Sequence, residues 1–201
     1  LSAATYQLKP TVRPVGEPPR LAGDGVVWLL VLAELLTFGL LFVSFAFARW
    51  REPAVFAQGQ GALSLSTGAL NTLLLVAASW CAARAVHALR CGHSPAATRW
   101  LLGALGGALG FLVIKSLEFA GKIAAGFDWA TDSFTLLYTL LTGFHFLHVL
   151  VGALVFAVLG WKARRGAYGP ANLNGPESGA VFWHMVDLLW MVLFPLVYVI
   201  R

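Results

Sequence analysis

Five uninterrupted apolar runs decide what this chain can fold into. They cover residues 26–48, 67–89, 100–119, 134–159 and 179–200. Each reaches the roughly 20 residues that a helix needs to cross the hydrocarbon core of a bilayer. A backbone immersed in lipid must satisfy its own hydrogen bonds, which leaves helices or closed barrels. The alternation of a barrel strand is absent from these runs. The sequence therefore predicts an all-α fold, a polytopic membrane bundle of five transmembrane helices. Composition points the same way: 11% of residues are charged, against roughly 25% in a soluble domain.

The chain divides into a Pro-rich tail (1–25, with Pro10, Pro14, Pro18 and Pro19) and a membrane domain (26–201). Gly, Pro and Asn punctuate the connections. "RWREPAVFAQGQG" follows the first span, "RCGHSPAATR" the second, "GKIAAGFDWATD" the third and "WKARRGAYGPANLNGPESG" the fourth. All four read as turns and loops.

The net charge of +5 does not point to nucleic acid, because the basic residues fall mainly in the connections. One side of the membrane carries Lys9, Arg13, Arg20, Arg84, Arg90, Arg99, Lys162, Arg164 and Arg165; the other carries Arg49, Arg51, Lys122 and Arg201. Lysine and arginine accumulate on cytoplasmic loops, so the amino terminus is expected in the cytoplasm and the carboxyl terminus outside. Cys81 and Cys91 suggest neither a disulfide framework nor a zinc motif.

In the third span, "GALGGALG" places Gly103 four residues from Gly107, and Gly106 four from Gly110. Small residues at this spacing let membrane helices approach closely. Pro195 removes one backbone hydrogen bond from the last span and is expected to kink it.

The ionisable residues inside the spans carry the functional question. They are Glu34, Lys115, His145, His148, His184 and Asp187, with Glu118 near a span end. A charge at the centre of a membrane helix costs about 3 kcal/mol on insertion scales. Such groups should face the bundle interior, a partner or one another. At about 1.5 Å of rise per residue, Glu34 and Asp187 lie about 13 Å from the cytoplasmic end of their spans, His184 about 8 Å and His148 about 17 Å. These four are expected to form one polar layer, either as a buried network or as a proton-linked group. Asn71, Lys115 and Glu118 fall in the opposite half, with His145 near the middle, as a second polar group. Lys115 and Glu118 are three residues apart and share a helix face; a paired charge and a proton relay are both open readings. Heme ligation would require imidazoles on both sides of the ring. His145 and His148 share one face of one helix, and His87 and His93 lie at a membrane edge or in a loop. The residues themselves thus suggest no metal, no heme and no catalytic group in this chain.

Several stretches resemble a known family. "TGFHFLHVLVG" (142–152) and "FWHMVDLLWMVLF" (182–194) look like signatures of subunit III of the heme-copper oxidases. Glu34 in "LAELLTFGLLF" matches that family's buried glutamate, "LNTLLLVAASW" (70–80) its next helix, and "SLEFAGKIAAG" (116–126) the end of the third. The resemblance covers residues 24–201. The longer members have seven helices and this chain lacks their first two. Lys115 ahead of "SLEF", "GALNTLLLVAASW" and "ESGAVFWHMVDLLW" look closest to the five-helix accessory protein of bacterial nitric oxide reductases (the NorE type).

The resemblance implies a non-catalytic subunit of a heme-copper respiratory complex, either an oxygen reductase or a nitric oxide reductase, in the bacterial inner membrane. It would bind beside a subunit I-like catalytic chain and support its assembly, stability and proton uptake. Heme and metal would belong to partner subunits, and this chain would hold no cofactor of its own, with room for bound phospholipid. Two other classes compete: an independent proton-coupled transporter and a b-type cytochrome membrane anchor. The first would explain the buried ionisable groups, but no inverted repeat accompanies them.

Overall fold

The computed structural model describes residues 21–124 and 131–200. Residues 1–20 of the predicted tail, residues 125–130 of the third connection, and Arg201 lie outside the described residues. Six helices follow one another: α1 (Gly25–Arg51), α2 (Pro53–Gly61), α3 (Leu65–Arg90), α4 (Ser94–Ala124), α5 (Ser133–Arg164) and α6 (Asn174–Phe194). Among the described residues there is no β-strand, and the five long helices are each apolar enough to span a membrane.

Every predicted span is present, and each helix is longer than its apolar run, the last when counted through to Val199. Polar caps extend the helices into the headgroup region. Asp24 accepts the Val26 N–H at the start of α1, and Ser64 accepts the Thr67 N–H at the start of α3. Asp132 and Thr135 form a reciprocal capping box on α5. α3 and α5 end in the same way. The His93 N–H reaches the Ala88 carbonyl and the Ala167 N–H that of Lys162, each across a left-handed glycine, Gly92 or Gly166. This is the closure that favours glycine after a helix.

One connection departs from expectation. The segment after the first span is not a loop: residues 53–61 form α2. Pro53 sits at the first helical position, where its missing N–H costs nothing. Phe56 and Gln60, one turn apart, give α2 a fully buried face. Phe56 packs edge-on against Phe45 and Phe134 at ring separations of 5.0 and 5.5 Å.

The bundle is antiparallel, so it has two faces. The N face holds the start of α1, the α3–α4 turn and the α5–α6 connection. Here the Asp24 N–H donates to Ser178 Oγ at 2.9 Å and Arg90 pairs with Glu177 at 2.8 Å. The C face holds α2 and the ends of α4 and α6. α6 finishes in a π-helical turn, Pro195–Val199. This is how the chain absorbs Pro195: loosened backbone carbonyls appear where a kink was expected. The Gln60 amide donates to three of them, on Leu196, Val197 and Ile200, at 2.9–3.3 Å.

The glycines of α4 set the closest helix contact. A methyl group on Gly107 would lie 2.8 Å from the Leu74 carbonyl oxygen, and one on Gly103 would lie 3.1 Å from the Cys81 sulfur. Gly110 faces Leu74 at 3.2 Å on the same measure, whereas Gly106 faces open space. The seam therefore uses three of the four predicted glycines. On α5, Gly152 makes room for the ring of Trp183.

Candidate functional site

Membrane-depth polar residues occupy two distinct places. The first lies in the C-face half, among α4, α5 and the end of α6. Lys115 is fully buried. Its ammonium donates to Glu118 Oε2 at 2.9 Å, to Tyr198 Oη at 2.7 Å and to Tyr138 Oη at 3.4 Å. All three of its donors thus have acceptors. The rings of Phe119, Tyr138, Trp190 and Tyr198 surround it with centroids 5.4–5.7 Å away, the range in which a ring face attracts a cation. Tyr138 also donates to Glu118 Oε1 at 2.6 Å, and Lys122 approaches the same oxygen at 3.4 Å. The carboxylate is bound on both oxygens by groups from two helices. Chemically, this is a neutralised charge pair in a phenolic cage.

Asn71 and His145 were expected in this group, and both are fully buried, but neither joins its hydrogen bonds. The α3–α4 register pairs Ala78 with Gly107 and Leu74 with Gly110. One turn further, Asn71 falls opposite residues 113–115. Its amide oxygen and nitrogen have no hydrogen-bond partner among the described residues. His145 lies one turn deeper, against Phe111 (5.4 Å, edge-on) and Trp190 (5.0 Å), with both ring nitrogens unpartnered.

The second place lies in the N-face half. The single layer expected from depth is divided there. Glu34 of α1 meets His148 of α5 at 3.2 Å. The other ring nitrogen of His148 lies 2.7 Å from the Phe144 carbonyl oxygen. A carbonyl only accepts, so Nδ1 carries a proton.

Asp187 does not join this pair by any hydrogen bond. It accepts from Ser79 of α3 at 2.7 Å, and its other oxygen is buried without a partner. His184, one turn back on α6, is exposed on the side of the bundle. Depth alone put the four residues together; helix azimuth separates them. Glu34 and His148 face the α1–α5 seam, whereas Asp187 faces α3.

Sequence reading missed Tyr138, Tyr198 and Ser79, each a direct partner of a predicted residue. Tyr138 stands in "LLYTLL" and Tyr198 in "LVYVI". A phenol inside an apolar run needs a partner when buried, and that signal points to both.

Among the described residues, no three His, Cys, Asp or Glu side chains gather as metal ligands. The chain matches cytochrome c oxidase subunit III over residues 24–200. It belongs to the cytochrome c oxidase subunit III family. It is 30% identical over 187 residues to cytochrome c oxidase subunit 3 of Synechocystis, covering 90% of this chain and 77% of that one. The corresponding protein of Thermostichus vulcanus is 29% identical, with 87% of each chain covered. A heme-copper oxidase subunit I+III of Aeropyrum pernix is 27% identical over 87% of this chain, which aligns to 22% of that longer protein. The family match takes in all five long helices and both polar places.

Proposed function

We propose that this chain is the non-catalytic subunit III of a heme-copper respiratory complex, held in the membrane beside a subunit I-like catalytic chain. The carrying observation is the family match over the whole five-helix domain. The Aeropyrum pernix relative, named as subunit I+III, supports the pairing with subunit I. On this reading heme and metal belong to the partner, phospholipid lies against the bundle, and the chain contributes assembly, stability and proton uptake. The nine-to-four asymmetry of lysine and arginine supports a cytoplasmic N face.

The finer reading assigns the partner to the nitric oxide reductase branch. Lys115 ahead of "SLEF", "GALNTLLLVAASW" and the ending "ESGAVFWHMVDLLW" support it.

A tagged chain purified in mild detergent tests both levels. The expected result is a copurifying heme-bearing subunit, identified by mass spectrometry and visible spectrum, that turns over nitric oxide. Turnover of oxygen instead would remove the finer reading. A heme spectrum belonging to this chain alone would remove the coarser one. In the same preparation, Asp187→Ala is expected to lower retention of the complex and lasting activity more than initial turnover. An intact complex with no initial turnover would instead make Asp187 part of an obligatory proton path.

A further inference from the structure

We propose that the surface around His184, between α1 and α3, is where a transmembrane helix of the catalytic subunit docks, with a hydrogen-bonding group set against the His184 imidazole. The inference rests on the subunit III reading and adds the face that the partner uses.

Depth is the first observation. α6 with its terminal turn spans Asn174–Val199, 26 residues. That is about 39 Å of helix against a hydrocarbon core of about 30 Å. His184 stands ten residues after Asn174, so with the helix centred it lies about 10 Å below the headgroup boundary. An imidazole on a single methylene cannot snorkel that far, as the long stems of lysine and arginine do.

The second observation is exposure without compensation. His184 is exposed, and no hydrogen bond joins it to another described residue. Asp187, one turn on, is already engaged by Ser79. An imidazole facing acyl chains leaves an N–H donor and a nitrogen acceptor unmet, and hydrocarbon supplies neither. Exposed Leu36, Leu73, Leu109 and Leu154 at membrane depth are apolar, and the exposed hydroxyls of Thr37 and Ser44 donate to carbonyls of their own helix, on Ala33 and Leu40, which an imidazole left without a hydrogen bond does not. A headgroup cannot supply the partner without sinking about 10 Å; a neighbouring helix brings one at any depth.

Shape is the third. His184 forms a ridge between two grooves. One, of about 340 Å³, runs along Trp28, Val31 and Leu35 of α1. The other, of about 230 Å³, runs along Ala83, Val86 and His87 of α3. A ridge flanked by two grooves is the relief into which another helix packs.

Photo-crosslinking in the purified complex tests this. Benzoylphenylalanine replaces Leu188, on the His184 ridge and 54% exposed, or Leu154, 60% exposed. Leu154 is two residues beyond Gly152, which faces α6, so it lies on the far side of α5. The expected result is a catalytic-subunit adduct from Leu188 and none from Leu154. His184→Phe should weaken retention of the complex about tenfold, equivalent to about 1.4 kcal/mol, and His184→Gln should restore much of it. A catalytic-subunit adduct from Leu154 alone, lipid adducts alone from Leu188, or an adduct between two copies of this chain would overturn the proposal. If no catalytic subunit copurifies with the wild-type chain, the subunit III reading fails first and the docking face with it.

Discussion

The two polar places solve one problem in different ways. Lys115 and Glu118 meet within one helix, and four rings, two of them the phenols of Tyr138 and Tyr198, surround the buried ammonium while Glu118 stays partly exposed. Glu34 and His148 meet across two helices, half-buried, through one 3.2 Å contact. The first is a closed network in which five polar side chains, Lys115, Glu118, Lys122, Tyr138 and Tyr198, engage one another. The second is an open pair that rests on a single contact between two helices. Redundant bonds hold the C-face half, whereas the N-face half depends on one contact.

The sharpest way to break this contrast is Lys115→Met in the full chain. It leaves the partly buried Glu118 without its nearest counter-charge, with only Lys122 at 3.4 Å to replace it. Removing one partner of a buried pair costs about 3–5 kcal/mol, so folded yield in detergent should collapse, as read by size-exclusion of a fluorescent fusion. A variant that folds like the parent would show that the cage is not a keystone. Ser79→Ala comes next. It strips Asp187 of its hydrogen bond from α3, and an expected loss of about 1–3 kcal/mol should appear in thermal unfolding.

Smaller effects belong to the open pair. A double-mutant cycle with Glu34→Ala and His148→Ala should give a coupling of about 0.6–1.7 kcal/mol, the span found for hydrogen bonds between membrane helices. A coupling as large as that of a closed ion pair would erase the distinction drawn above. Smallest of all, His184→Phe should shift the stability of the isolated chain by no more than about 0.5 kcal/mol, as at a surface position that makes no hydrogen bond within the subunit. A large loss in the isolated chain would mean that His184 acts inside this subunit.

How far these features were legible depends on the kind of information each requires. The five spans follow from length and apolarity, quantities local to the sequence. The Lys115–Glu118 pair follows from three-residue spacing, and the Gly103–Gly107 seam from four-residue spacing. Depth alone did not reveal which of Glu34, His148, His184 and Asp187 touch, because depth is one coordinate of three. Residues at one height still point in different directions, and the direction is fixed by how α1, α3 and α5 surround α6. Helix α2 was missed because its evidence is tertiary. "EPAVFAQGQG" has little helical periodicity, and Phe56 is held by Phe45 and Phe134 from other parts of the chain.

The fastening of α6 at both ends bears on how the molecule is made. Its N-face end is tied to the entrance of α1 through Asp24 and Ser178. Its C-face end is tied to α2 by the Gln60 amide, across more than a hundred residues of chain. A ribosome delivers these partners in the reverse of the order in which they are needed: the first two helices wait, half-assembled, for the last. Until α6 arrives, Gln60 and the interior of the bundle have only lipid or the insertion machinery for company. Synthesis therefore ends with a closing step, and a chain cut short before α6 would lack both of its fastenings at once.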